Sequence, residues 1–374
     1  MRRIAVAALV VAALAVLALP PGARAAPPDV RRVRLEDGAG SPHAARDAAG
    51  ALHIVYGRER AAWYVRLEPK GREVGEPVRV SPPGVEVEVG MERGPRIAVG
   101  REGRLHVAWM GPRGRGVLYA RSADGGRTFE AARDVLDRAV EVDGPAIAAD
   151  ATGRVYVVWL DARLPPSPTS PFSGAPFLAR STDDGATFGA NEPIAHDYAG
   201  RACGCCSLSA ETSPEGRLAV SFRGAHLSIR DPFVLLADKE ARRFAAARVS
   251  ADQWKLDACP MSGIAFAFVP EGRGALVAAW MSAGRVYCAA AGKDGRFGAR
   301  VAATEKPGAR EQKLPGVAAA KGGSALVVWT EGPTVRWLLL EKGKPGARGE
   351  MAGLPERSRP VPAVAGDGDL VIVY

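Results

Sequence analysis

Four of the five cysteines of this 374-residue chain fall in two short stretches, Cys203-Gly-Cys205-Cys206 and Cys259-Pro-Met261. In an oxidising compartment such a set forms disulfides, for example one of Cys203, Cys205 or Cys206 with Cys259. An odd count leaves at least one thiol unpaired, and the fifth cysteine, Cys288, sits in an apolar run. The alternative is a soft-metal site built from Cys203, Cys205, Cys206 and Cys259, with Met261 or His226 beside it. Thiolate and thioether ligands select Cu(I), and thiolates also suit zinc, although the spacing matches no standard zinc pattern.

Charged and aromatic residues accompany the cysteines. Arg58, Arg163, Arg223 and Arg230 have the planar fork that grips a carboxylate or sulfate in two-point fashion. With Trp254 for stacking on a ring and Asp257 in the same stretch, they form a candidate anion or glycan site. A second reading pairs the same arginines with Asp161, Asp231 and Glu59 as solvated loop charges, and makes Trp254 a packing residue. Asp161 and Asp231 are the candidate acid/base groups and Tyr198 the candidate nucleophile, since glycoside cleavage needs two groups flanking the bond. No glutamate partner for Tyr198 is identifiable.

These residues must be held by something, and the chain repeats itself. Seven times a glycine precedes an aromatic by six positions, from Gly50 with Tyr56 and Gly103 with Trp109, through Gly153 with Trp159, Gly216 with Phe222 and Gly274 with Trp280, to Gly323 with Trp329 and Gly368 with Tyr374. The aromatics are 53, 50, 63, 58, 49 and 45 residues apart. Short β-rich runs bounded by Gly, Asp and Pro flank each copy, and helical periodicity is nearly absent. Four strands per unit at this period predict an all-β propeller of four-stranded antiparallel blades, seven by count, or six if one copy is a decoy. The last copy ends after two strands, and Val30 to Leu35 resembles a fourth strand that completes it, closing the ring through both termini.

Two turns between third and fourth strands share one pattern: Ser122, Asp124, Gly126, Thr128 and Phe129, then Ser181, Asp183, Gly185, Thr187 and Phe188. Stretches ending at Phe244 and Phe297 look like eroded copies. The aspartate accepts backbone N–H groups across the turn, the glycine takes positive φ, and the aromatic packs into the blade, so a structural role is expected. These turns and the blade pattern resemble the sialidase-like proteins with BNR (Asp-box) repeats over nearly the whole chain. The resemblance implies a propeller, six-bladed in the sialidases, in which three arginines hold a sialic acid carboxylate, a Tyr/Glu pair is the nucleophile and an aspartate the acid/base. Of the family's early arginine motif only Pro95-Arg96-Ile97-Ala98 remains as a partial echo, and it sits in the second repeat.

In a propeller the Asp-box turns share one face with the turns between first and second strands. The second-to-third loops and the crossings between blades share the other, and the residues of the two opening paragraphs belong there. Residues 1–25 read as a secretory signal, with Arg2 and Arg3, an apolar run from Ile4 to Leu19, and cleavage after Ala25. An exported protein, periplasmic or extracellular, is therefore expected, with residues 26–374 as the propeller and no stable membrane insertion. The net charge of +9 falls to +6 with the signal. No basic run or nucleic-acid motif occurs, so a nucleic-acid partner is not expected. Three functions follow: binding of an anionic ligand or soft metal, cleavage as an exo-sialidase or related glycoside hydrolase, or a disulfide-stapled scaffold with a protein partner on the loop face.

Overall fold

The computed structural model describes residues 29–165, 168–169, 173–195, 201–306, 308–354, 359–366 and 368–374. The signal segment lies outside them. Among the described residues no helix is long and apolar enough to cross a membrane.

The seven repeats are seven blades around a closed ring, and six of them contain the four strands the spacing predicts. The first strand lines the axis and the fourth lies at the rim. Blade 1 runs Gly40–Arg46, Leu52–Arg58, Ala61–Leu67 and Val78–Arg79, and blade 2 runs Arg96–Val99, Leu105–Met110, Val117–Ser122 and Arg133–Asp134. Blade 3 runs Val142–Ala149, Val155–Asp161, Ser173–Ser181 and Glu192–Pro193, with the short strand Ala202–Cys203 added to its third strand. Blade 4 contains Ser209–Thr212, Leu218–Arg223, Pro232–Ala237 and Phe244–Arg248, and blade 5 contains Ile264–Phe268, Leu276–Ser282, Arg285–Ala291 and Val301–Ala302. Blade 6 contains Gln312–Ala319, Ser324–Glu331, Thr334–Glu341 and Lys344–Met351.

Blade 7 differs from the expectation in one respect. It comprises Val361–Ala365, Asp369–Val373 and the N-terminal Arg31–Val33, so the terminal strand does close the ring. That strand takes the third position and pairs parallel with Asp369–Val373. The direction has a simple cause. A chain entering the first strand of blade 1 must arrive along a fourth-strand direction, which matches that of a second strand. With no third strand between them, the two lie side by side in parallel.

The core consists of apolar layers between neighbouring blades, and the repeat aromatics fill them. Tyr56, Trp109, Trp159, Phe222, Trp280 and Trp329 are all essentially inaccessible. The Asp-boxes make the expected bonds across their turns, and they also link neighbouring blades. Asp124 accepts the Thr128 N–H at 3.0 Å and its hydroxyl at 2.6 Å, and the Ser122 hydroxyl accepts the Gly126 N–H at 2.9 Å. Asp183 and Ser181 repeat the arrangement around Gly185 and Thr187. Gly126 has φ +91° and its backbone lies against Tyr64 of blade 1, so a side chain there would collide with the ring. Phe129 meets Tyr64 edge-on at 5.6 Å, and Phe188 meets Tyr119 of blade 2 at 4.9 Å. Each box thus docks on the third strand of the preceding blade, away from the crossing face.

Candidate functional site

On the crossing face, one catalytic candidate, Asp161, secures a repeat aromatic. An indole N–H buried at a blade end needs an acceptor. Asp161 supplies it for Trp159 at 2.8 Å, and Asp252 for Trp280 at 2.7 Å. Asp161 is 1% exposed and also accepts the Arg163 guanidinium at 2.9 Å. Arg163 continues to Asp137 at 3.0 Å and lies over the Phe177 ring at 4.6 Å. The equivalent in blade 1 is a hydroxyl: Tyr56 donates to Glu36, which also pairs with Arg58 over the Trp63 ring. Tyr56 and Glu36 form a Tyr/Glu pair of the type a sialidase uses, but the tyrosine is 0% exposed, and burial pushes its hydroxyl up to about 12. Asp231, also buried, pairs with Arg248 and accepts the Gln253 N–H at 2.9 Å.

The sulfur loops come together as the sequence suggested. Cys205 and Cys259 form a disulfide that joins the crossings on either side of blade 4. Closing a loop across 54 positions stabilises the fold by up to ~4 kcal/mol in the chain-entropy account. Cys203 and Cys206 remain thiols, both buried, and the Cys203 Sγ lies 3.6 Å from the Cys205 Sγ. The sulfurs of Cys203, Cys205 and Cys206 all lie within 4.8 Å of one another. The disulfide withdraws two sulfurs from the four-cysteine metal set, leaving two thiols where a structural zinc site takes four ligands. His226 is exposed on a turn, 3.4 Å from the Thr169 hydroxyl and outside the sulfur group. Met261 is half-buried two residues past Cys259.

Beneath the sulfurs lie two arginines with no carboxylate partner among the described residues. Arg223 is 1% exposed and donates to the carbonyls of Ser262 and Arg230. Arg230 is 0% exposed and donates to the carbonyls of Leu256 at 3.1 Å and Ala258 at 3.1 Å, and its Nη1 has no hydrogen-bond partner among the described residues. Interaction with the Cys206 thiol and the charges of Arg230 and Arg223 overcome burial and bring the Cys203 thiol down to about 6. The same interaction pushes Cys206 up. Trp254 is half-buried with Arg223 5.7 Å from its ring, and Asp257 is exposed. Tyr198 lies outside the described residues.

A second cluster occupies the mouth of the ring axis. The blade 1–2 crossing dips inward at Glu92, which is 2% exposed. Its carboxylate accepts the Gly263 N–H at 2.6 Å and the Ser207 N–H at 3.2 Å, tying this crossing to those on the far side of the ring. Its backbone carbonyl accepts Arg96 at 2.6 Å and Arg359 at 3.3 Å. The other partners of Arg96 are the carbonyls of Gly94 and Pro95. Neither arginine forms an ion pair among the described residues. Burial, then the charge of Arg359, pulls Arg96 down to about 9. His43, on the first strand of blade 1, accepts the Ile97 N–H at its Nδ1, so the neutral ring carries its proton on Nε2. Burial and the charges of Arg96 and Arg359 bring its pKa to about 3. Two surface depressions of about 310 and 330 Å³, both lined by Glu215 and Arg217, lie on the Asp-box face, far from both clusters in topology.

No family model and no curated protein matches the chain. Solved structures do match. A protein of unknown function from Dyadobacter fermentans aligns over 86% of this chain and 96% of its own, with 14% identity and a TM-score of 0.56. The intramolecular trans-sialidase of Ruminococcus gnavus aligns over 74% of this chain and 88% of its own, at 11% identity and a TM-score of 0.50. The Aleuria aurantia lectin, a six-bladed propeller that recognises fucose, covers 85% and 96% at 11% identity and a TM-score of 0.50. The likeness is one of fold. Sugar-active and sugar-binding propellers are thus its structural neighbours, and their residues do not transfer to it at this identity.

The axial cluster is the part of the site that sequence reasoning passed over. Arg96 alone was visible, through its motif. Glu92, Arg359 and His43 come from three different repeats and meet only when the ring closes. The one available signal was a glutamate inside a glycine-bounded crossing, Gly90 to Gly94, followed by Arg93 and Arg96.

Proposed function

We propose that this is an exported binding propeller whose axial mouth, on the crossing face, takes a small anionic ligand such as the carboxylate of an acidic sugar. The observation that carries the reading is the approach of Arg96 and Arg359 to one another with only backbone carbonyls as hydrogen-bond partners among the described residues. Two neighbouring guanidinium groups repel, and burial raises the penalty, so an anion between them relieves both terms at once. Arg58 and Arg163 are less suited, because each already pairs with a carboxylate of the protein. Binding is favoured over cleavage by the inaccessible Tyr56 of the Tyr56–Glu36 pair, and over a soft metal by the Cys205–Cys259 bond. The cysteine pairing itself fits an oxidising compartment, in keeping with the signal-like N-terminus.

Isothermal titration calorimetry with glucuronate, N-acetylneuraminate and neutral glucose tests the reading. Both acids should bind and glucose should not. Arg359→Gln should weaken the acids by about 10- to 100-fold, as expected for one charge-assisted contact. Equal or absent heats for all three sugars would reject it.

A further inference from the structure

The sulfur cluster has a feature that a plain staple does not need. A thiol lies 3.6 Å from one sulfur of a disulfide, close to van der Waals contact and within reach of attack after a small approach. Two buried guanidinium groups accompany it, and one carries an N–H with no partner among the described residues. Arg230 also holds the other end of the bridge, since its Nη2 donates to the carbonyl of Ala258, the residue before Cys259. Positive charge therefore acts on the attacking sulfur, and Arg230 is also anchored to the segment that carries the leaving one. Asp231, next to Arg230 in sequence, turns to Arg248 and Gln253 and does not neutralise it.

From this geometry we propose that Cys203 and the Cys205–Cys259 disulfide form a thiol–disulfide exchange centre. The Cys203 thiolate attacks Sγ of Cys205, a Cys203–Cys205 bond forms, the Cys205–Cys259 bond breaks, and its electron pair leaves on Cys259. One disulfide and one thiolate stand on each side, so no external oxidant or reductant enters the step. Gly204 lies between the two cysteines and has no side chain to obstruct the small ring that results. The exchange moves the bond from between blades 3–4 and 4–5 to within one crossing. It removes the covalent tie on the Asp252–Met261 segment and presents Cys259, already half-buried rather than buried, to an incoming thiol or disulfide partner. Cys206 sits beside the attacking sulfur as its hydrogen-bonding neighbour and is not the nucleophile. The proposal is independent of the axial anion site.

The test is a time course of iodoacetamide labelling on the full-length protein without reductant, followed by non-reducing peptide mapping. The expected product is a Cys203–Cys205-linked peptide together with carbamidomethyl-Cys259, accumulating in wild type and in Cys206→Ser but absent from Cys203→Ser. A Cys205–Cys259 link that persists while Cys203 becomes carbamidomethylated would overturn the proposal, as would a Cys205–Cys206 link. The wild-type map decides between these even if Cys203→Ser does not fold.

Discussion

Glu92 and Gly263 are 171 positions apart, yet the carboxylate of one accepts the backbone N–H of the other at 2.6 Å at the mouth of the ring. The contact spans the axis from the blade 1–2 crossing to the start of blade 5. Because Ser207 donates to the same carboxylate, three crossings meet on one side chain. The backbone carbonyl of the same residue accepts Arg96 and Arg359, the two arginines of the proposed anion site.

Removing the carboxylate should be costly. Glu92→Ala leaves the Gly263 and Ser207 N–H groups buried without acceptors, and should lower stability in urea by about 2–4 kcal/mol. Glu92→Gln keeps an oxygen acceptor and should lose much less. Equal midpoints for the alanine variant and wild type would show that the crossings hold together without it.

Reduction of the disulfide should loosen blade 4. Cys259→Ser should lower the unfolding free energy by up to about 4 kcal/mol, less whatever an alternative Cys203–Cys205 bond restores. Dithiothreitol should shift the melting temperature of wild type downward and leave a Cys205→Ser/Cys259→Ser variant unchanged. A wild-type melting curve indifferent to reductant would contradict a stabilising bridge.

Glu211, on the first strand of blade 4, accepts the Phe268 N–H at 3.2 Å, and burial raises its carboxyl to about 8. The folded protein keeps this proton when the unfolded chain has lost it. Its contribution to stability is therefore full below about pH 4.5 and declines as pH rises toward 8. Glu211→Gln, a neutral mimic, should match wild type at pH 4 and melt higher at pH 8. The reverse order at pH 8 would mean that the carboxylate is the native form.

His43 carries the opposite sign. Its folded pKa of about 3 lies below the ordinary 6.5, so its stabilising contribution is complete above 6.5 and is lost as pH falls toward 3. His43→Gln should flatten the acid side of the stability profile between those limits. An unchanged acid limb would place the acid sensitivity elsewhere.

Much of the fold was legible because a propeller repeats its signals. Every blade has a glycine turn, an apolar second strand and an aromatic, so seven weak statements add to one strong one. The disulfide between the Cys203 and Cys259 loops was also within reach, since flanking a blade brings those crossings together. Two things were not legible. The position of Arg31–Val33 in the third place of blade 7 depends on a missing strand, which local sequence cannot register. The roles of Asp161, Arg163 and Arg58 depend on blade-end contacts: the Trp159 indole bonds Asp161, the Tyr56 hydroxyl bonds Glu36, and each carboxylate pairs with an arginine, whereas the Trp109 and Trp329 indoles have no partner among the described residues. In sequence, such a group looks the same as a catalytic one.

The most direct test of the axial site is the ring-proton NMR titration of His43, assigned by comparison with His43→Gln, with and without an acidic sugar. Burial and, after it, the charges of Arg96 and Arg359 hold its pKa low, so a carboxylate seated between the arginines should raise it measurably, and Arg359→Gln should remove the response to the sugar. A His43 titration curve that is the same with saturating glucuronate or N-acetylneuraminate as without would contradict the account.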